Sequence, residues 1–163
     1  MTTLGSSLVL RFDGSVRYGP HNANPRGAAI GYVVEERQPL AEGSRELSAF
    51  VSSTHVELRA LVAGAQTVAA LTDHLRVSDV HVRGDAAAVI DTVAPCGEST
   101  VDDRISQRRA ERVRNALAPV PRVTYRCVSR HENERAHEKE SHTWRGIRAL
   151  ARTGDCTLST GER

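Results

Sequence analysis

Four positions carry residue types suited to acid or metal chemistry: Asp13, Glu57, Asp85 and His137. They sit in the stretches RFDGSVRYG, STHVELRALVAGAQ, VHVRGDAAAVIDTV and NERAHEKE. Each acid has an ordinary structural explanation. Asp13 precedes Gly14, and D-G is a common turn signal. Glu57 follows Thr54 by three, the spacing of a capping box. Asp85 stands before AAAVID, where an N-cap belongs. None alone is evidence of chemistry. As a set they differ, because carboxylates packed together raise one another's pKa values unless a cation neutralises them. Oxygen-only ligation suits Mg²⁺ or Mn²⁺.

The elements decide whether the acids meet. Leu8 to Asp13 alternates as a strand and is expected to end at Gly14. A turn-rich loop, Asn22 to Gly27, leads to a second strand from Ala28 to Glu36. Gln38-Pro39 makes a tight connection to a third, Ala41 to Val51. Short connections between three strands predict an antiparallel meander. Thr54 to Leu71 is the clearest helix, with Leu61, Gly64, Ala65, Val68 and Leu71 at helical spacing. Glu57 heads that apolar stripe in the expected first turn, and so points towards the sheet. Val77 to Arg83 is a fourth strand, followed by a short helix opening at Gly84-Asp85 and running through Val93. Asp102 to Leu117 is a further helix, bounded by Pro119 and Pro121. Arg122 to Val128 is a fifth strand, and Glu132 to about Leu150 a last helix. The polar segment after Ala151 is expected to be a flexible tail, 151–163, beyond a single domain, 1–150. This order predicts a mixed α/β fold: a five-stranded mixed sheet, its first three strands antiparallel, with helices on both faces. If strands one and four are neighbours, Asp13, Glu57 and Asp85 converge at one edge of the core.

Bulk composition sets broader limits. The chain has 163 residues, 39% hydrophobic and 26% charged, as expected of a globular domain with its own core. A formal charge of +2 supports no long-range field argument about nucleic acid, and Lys139 is the sole lysine among the basic residues. Cys96, Cys127 and Cys156 form no C-x-x-C pair, which argues against a disulfide framework or zinc knuckle and for a reducing compartment. No apolar run reaches the length of a membrane span. The expectation is a cytoplasmic monomer without membrane contact.

The four blocks, in this order on strand, helix, strand and final helix, resemble type 1 ribonucleases H, in the short archaeal and bacterial form without a basic protrusion. The resemblance covers roughly residues 7 to 150 and includes NPRGAAIGYVV after the first block. It implies a ribonuclease H-like fold and an endonuclease that cuts the RNA strand of an RNA–DNA hybrid, leaving 5′-phosphate and 3′-hydroxyl ends. It implies two Mg²⁺ or Mn²⁺ ions per site. Asp13 would bridge them, and Glu57 and Asp85 would complete the one nearer the leaving oxygen. The family's last acid, on the water-activating side, lies in N-x-x-A-D, and here N-E-R-A-H puts His137 in its place. The resemblance also implies hybrid contacts at Gly14, Ser15, Ser53, Thr54, Arg130 and Asn133.

The departures carry their own expectations. Imidazole brings no negative charge and favours softer metals than Mg²⁺, so His137 predicts Mn²⁺ as the better activator. Ser52-Ser53-Thr54 replaces the family's T-N-N, and Ala86-Ala87 its Ser-Gln, side chains that touch the hybrid's minor groove. A nucleic-acid binder that kept the fold and lost turnover is the competing reading. A same-fold 3′–5′ exonuclease fares worse, since that group carries D-x-E on its first strand and Asp13 is followed by Gly14-Ser15. Arg104, Arg108 and Arg112, four apart and off the face of Ile105, Val113 and Leu117, are either a phosphate-binding stripe or a solvated face.

Overall fold

The structure is a computed structural model that describes residues 5–22, 24–49, 52–96 and 103–132. The elements are β1 (Ser6–Tyr18), a 3-10 turn (Pro20–Asn22), β2 (Pro25–Glu35), β3 (Pro39–Leu47), α1 (Ser53–Thr72), β4 (Val77–Gly84), α2 (Ala87–Val93), α3 (Arg104–Leu117) and β5 (Arg122–Cys127). They build a five-stranded sheet in the order β3-β2-β1-β4-β5. β1 runs antiparallel to β2 and parallel to β4, and β4 is parallel to β5. The antiparallel meander and the adjacency of strands one and four are therefore both present.

β1 does not end at Gly14. The D-G pair lies inside the ladder, Asp13 opposite Gly31 and Gly14 opposite Ile30, and pairing continues to Tyr18. Long-range pairing with β2 overrides the local turn signal, and β2 accordingly begins at Pro25 rather than Ala28. Pairing of β1 with β4 stops earlier, at Arg11 with Arg83. β1 thus runs on past its parallel neighbour, and Asp13 stands just beyond that point.

Leu8, Leu10 and Phe12 alternate inward along β1 and are essentially inaccessible to solvent. α1 buries Leu58, Leu61, Ala65 and Val68 in the same core, and each large aliphatic side chain taken out of water contributes about 1.5–3 kcal/mol. α1 packs on β1, β2 and α3, and α2 on α3 and β5. The predicted helix 132–150, which would add a further helical layer, lies outside the described residues except for Glu132, as does the 151–163 tail. Among the described residues no helix is long and apolar enough to cross a membrane.

Two local starts differ from expectation. The cap of α1 is Ser52, in extended conformation, whose hydroxyl accepts from the His55 N–H at 3.3 Å. With helix starting at Ser53, Thr54 is not a cap, and Glu57 stands at the beginning of the second turn, free of any capping box. Likewise α2 starts at Ala87 with Ala86 as a cap that offers no side chain, so Asp85 is not its N-cap.

Gly14 is where β1 touches α1. A Cβ there would lie 2.9 Å from the Glu57 nitrogen and 3.0 Å from its Cα, closer than backbone atoms tolerate. Gly14→Ala is expected to lower stability by about 1–3 kcal/mol, read from denaturant unfolding. A change within about 0.5 kcal/mol, the scatter of ordinary surface substitutions, would show that this contact is not tight.

Candidate metal centre

Three elements deliver one acid each to the same place. Asp13 projects from β1 where β4 no longer flanks it. Asp85 is the first residue after β4, whose exit is fixed by the Val128 N–H donating to the Gly84 carbonyl at 2.9 Å. Glu57 comes from α1, brought in by the contact at Gly14. One ligand oxygen from each of Asp13, Glu57 and Asp85 lies within 4.8 Å of the other two, and all three residues are half-buried. The cluster sits at the carboxyl ends of the parallel strands, where open α/β sheets characteristically bind ligands.

Glu57 is the electrostatic centre of this group. Burial, then the charges of Asp13 and Asp85, push its pKa from 4.5 to about 8, against a backbone hydrogen bond from Gly14 that lowers it. Its Oε2 is buried and has no hydrogen-bond partner. A buried carboxylate oxygen with nothing to accept from is expensive. An all-oxygen donor set with one such oxygen inside it fits a hard divalent cation, which would satisfy that oxygen and offset the repulsion. Among the described residues no other group of three or more metal-ligating side chains is assembled.

The remaining sequence-predicted residues distribute around this centre. Gly14 and Ser15 follow Asp13 in β1, the serine exposed, and Ser53 and Thr54 open α1. Arg130 is exposed in a helical turn just after β5, at the same end of the sheet. His137 and Asn133 lie outside the described residues. Arg104 and Arg108 line a groove of about 630 Å³ with Gln107, Glu111, Arg114 and Asn115, and Arg112 is not part of it. Arg114 donates to the carbonyls of Thr92 and Val93 at 3.3 Å each, closing the end of α2. Ile105 is 49% exposed, so the buried face of α3 is Ser106, Ala110, Val113 and Leu117 instead.

Sequence reading missed two things. One is Gly14 as a contact point rather than a turn. The other is a polar network in which His55, beside the acids, meets Asp103, Ser106 and Arg109 of α3. The D-x-x-S spacing of Asp103 and Ser106 marks a helix start, but nothing local points from it to His55.

No protein-family model matches the chain, and no curated protein does. Solved structures do. The chain is 25% identical to RNase H1 from the halophilic archaeon Halobacterium salinarum NRC-1, with a TM-score of 0.64 over 80% of this chain and 91% of that one. It is 21% identical to the N-terminal RNase H domain of a Mycobacterium tuberculosis protein, with a TM-score of 0.67 over 92% of this chain and 99% of that one. LC11-RNase H1, solved in complex with an RNA/DNA hybrid, gives 21% identity and a TM-score of 0.65, covering 81% and 92%. These likenesses, at TM-scores of 0.64 to 0.67, agree on one placement: the chain has a ribonuclease H1-like fold.

Proposed function

We propose that the chain is a divalent-metal-dependent endonuclease that hydrolyses the RNA strand of RNA–DNA hybrids, leaving 5′-phosphate and 3′-hydroxyl ends. The observation that carries this reading is the convergence of Asp13, Glu57 and Asp85, with one buried Glu57 oxygen left unpartnered, in a fold similar to RNase H1 structures. Asp13, Glu57 and Asp85 would hold Mg²⁺ or Mn²⁺, and His137 takes the place of the family's fourth ligand. Two such ions, when bound, supply the charge that stabilises the attacking and leaving oxygens of an in-line displacement.

The chain's own residues do the positioning. The Gly14 N–H donates to the Glu57 carboxylate, whose Oε2 is left without a partner. The sheet fixes Asp13 within β1 and Asp85 at the exit of the neighbouring β4, so little reorganisation accompanies substrate arrival. Ser53 and Thr54 present hydroxyls at the amino end of α1, where free N–H groups favour phosphate oxygens. Ser15 and Arg130 flank the acids on the strand and the turn after β5, and Asn133 would complete the substrate contacts. These contacts suit a duplex whose shape and sugar edges are read more than its bases.

His137 and Ala86-Ala87 favour a second reading, a hybrid binder without turnover. Cleavage of a labelled hybrid, with Mg²⁺ and Mn²⁺ titrated separately, decides between them. Wild type is expected to cut, better with Mn²⁺, and His137→Asp to shift the preference towards Mg²⁺. Binding without a cut at any Mn²⁺ concentration, with activity gained in His137→Asp, establishes the second reading. Asp13→Asn is expected to reduce cleavage to below about 1% of wild type, a barrier rise of about 2.7 kcal/mol or more. Unimpaired cleavage by that variant would sink the nuclease assignment.

Glu57 also predicts a pH signature. Its pKa is raised from 4.5 to about 8 on folding, so the folded protein holds the proton more tightly than the unfolded chain. That stabilising difference is full below 4.5 and is lost as pH rises through about 8. The Tm of the metal-free protein is expected to fall between about pH 5 and about pH 9. Glu57→Gln should flatten the fall, and Mn²⁺ should raise Tm most at the alkaline end. An unchanged Tm across this range would mean that the carboxyl is not held in a desolvated, repulsive setting.

A further inference from the structure

His55 is a buried histidine, 6% exposed, two residues before Glu57. Its backbone N–H closes the cap of α1 on Ser52. Its ring points the other way, into the start of α3. Nε2 lies 3.2 Å from Asp103 Oδ2 and 3.3 Å from Ser106 Oγ. Nδ1 lies 3.2 Å from Arg109 Nη1, which also donates to the His55 carbonyl at 3.5 Å. A guanidinium has only protons to give, so Nδ1 accepts and the proton of the neutral ring is on Nε2, directed at the carboxylate.

Asp103 uses its two oxygens on two helices. Oδ1 accepts from the Ser106 N–H at 2.8 Å and caps α3, while Oδ2 takes the His55 ring. One carboxylate therefore ties the amino ends of α1 and α3 together, and Arg109 braces the same ring from its far side. On the opposite side of α1, Gly14 of β1 presses on the Glu57 backbone. The opening turns of α1 are held between these two contacts.

We propose that His55 is a positioning residue for the metal centre: locked to Asp103, Ser106 and Arg109, it holds the start of α1 against β1 so that the Glu57 carboxylate stays in register with Asp13 and Asp85. This rests on the reading of those acids as ligands of a divalent cation. Supports behind a ligand set commonly govern metal affinity by 10–100-fold, and a displacement of about 1 Å is enough to spoil such a geometry.

The test is Mn²⁺ affinity of the purified full chain, by calorimetry and by the electron-spin signal of free Mn²⁺, alongside Tm and hybrid cleavage. His55→Ala is expected to weaken Mn²⁺ binding by about 10–100-fold. His55→Gln, which can still donate to Asp103, should recover part of the loss. Val113→Ala, a core truncation in α3, should lower Tm and leave Mn²⁺ affinity at the wild-type value. If His55→Ala does not fold, Arg109→Met removes the donor to Nδ1 while keeping an aliphatic stem, and a several-fold loss of affinity is expected there. Wild-type Mn²⁺ affinity in folded His55→Ala, or in Arg109→Met where it stands in, overturns the proposal, as does a loss equalled by Val113→Ala. A wild type that binds Mn²⁺ and cuts nothing leaves the positioning role measurable and removes only the nuclease reading. A wild type that binds no Mn²⁺ overturns both.

Discussion

Close approach of two backbones at Gly14 is the constraint on which the rest depends. β1 and α1 touch there with no side chain between them, and that contact sets the depth at which Glu57 enters the molecule. At the observed depth the glutamate is desolvated, repelled by two neighbours and short of one hydrogen-bond donor. The unfavourable electrostatics of the cluster are thus a product of packing, sustained by the apolar core beneath it.

That core is conventional, and it is large enough to carry a local penalty. Phe12, Leu10 and Leu8 from β1 meet Leu58, Leu61 and Val68 from α1 with essentially no exposed surface. β4 and β5 extend the same layer through Val80, Val82 and Val123. The sheet changes character at β1, antiparallel on one side and parallel on the other. The acids collect where the parallel half stops, at the exit of β4.

What the sequence disclosed and what it hid divide along one physical line. Asp13, Glu57 and Asp85 could be gathered from sequence because each sits in a block with its own periodicity, and strand alternation with helical spacing is enough to aim them. The antiparallel meander followed from the same periodicities, whereas the pairing of β1 with β4 entered only as a condition. The D-G pair misled because a turn propensity is local, whereas Asp13 and Gly14 are claimed by Gly31 and Ile30 across the sheet. The T-H-V-E capping box misled in the same way, since Ser52 offered its hydroxyl two residues before Thr54. His55 and Asp103 are 48 residues apart in sequence, and no local pattern links them. Ile105 was misassigned because the face that α3 buries enters its first turn at Ser106, one position on, and leaves Ile105 49% exposed.

β1 also has an open side. Beyond Arg11 it has no strand partner on the β4 flank among the described residues, and an open strand edge is a template on which other chains can pair. At Gly14 the exposed amide is taken up by the Glu57 carboxylate of the same molecule. The acid at the centre of the cluster therefore also covers an edge donor. One side chain thus both joins the carboxylate cluster and occupies a strand-edge donor that a pairing chain would otherwise use.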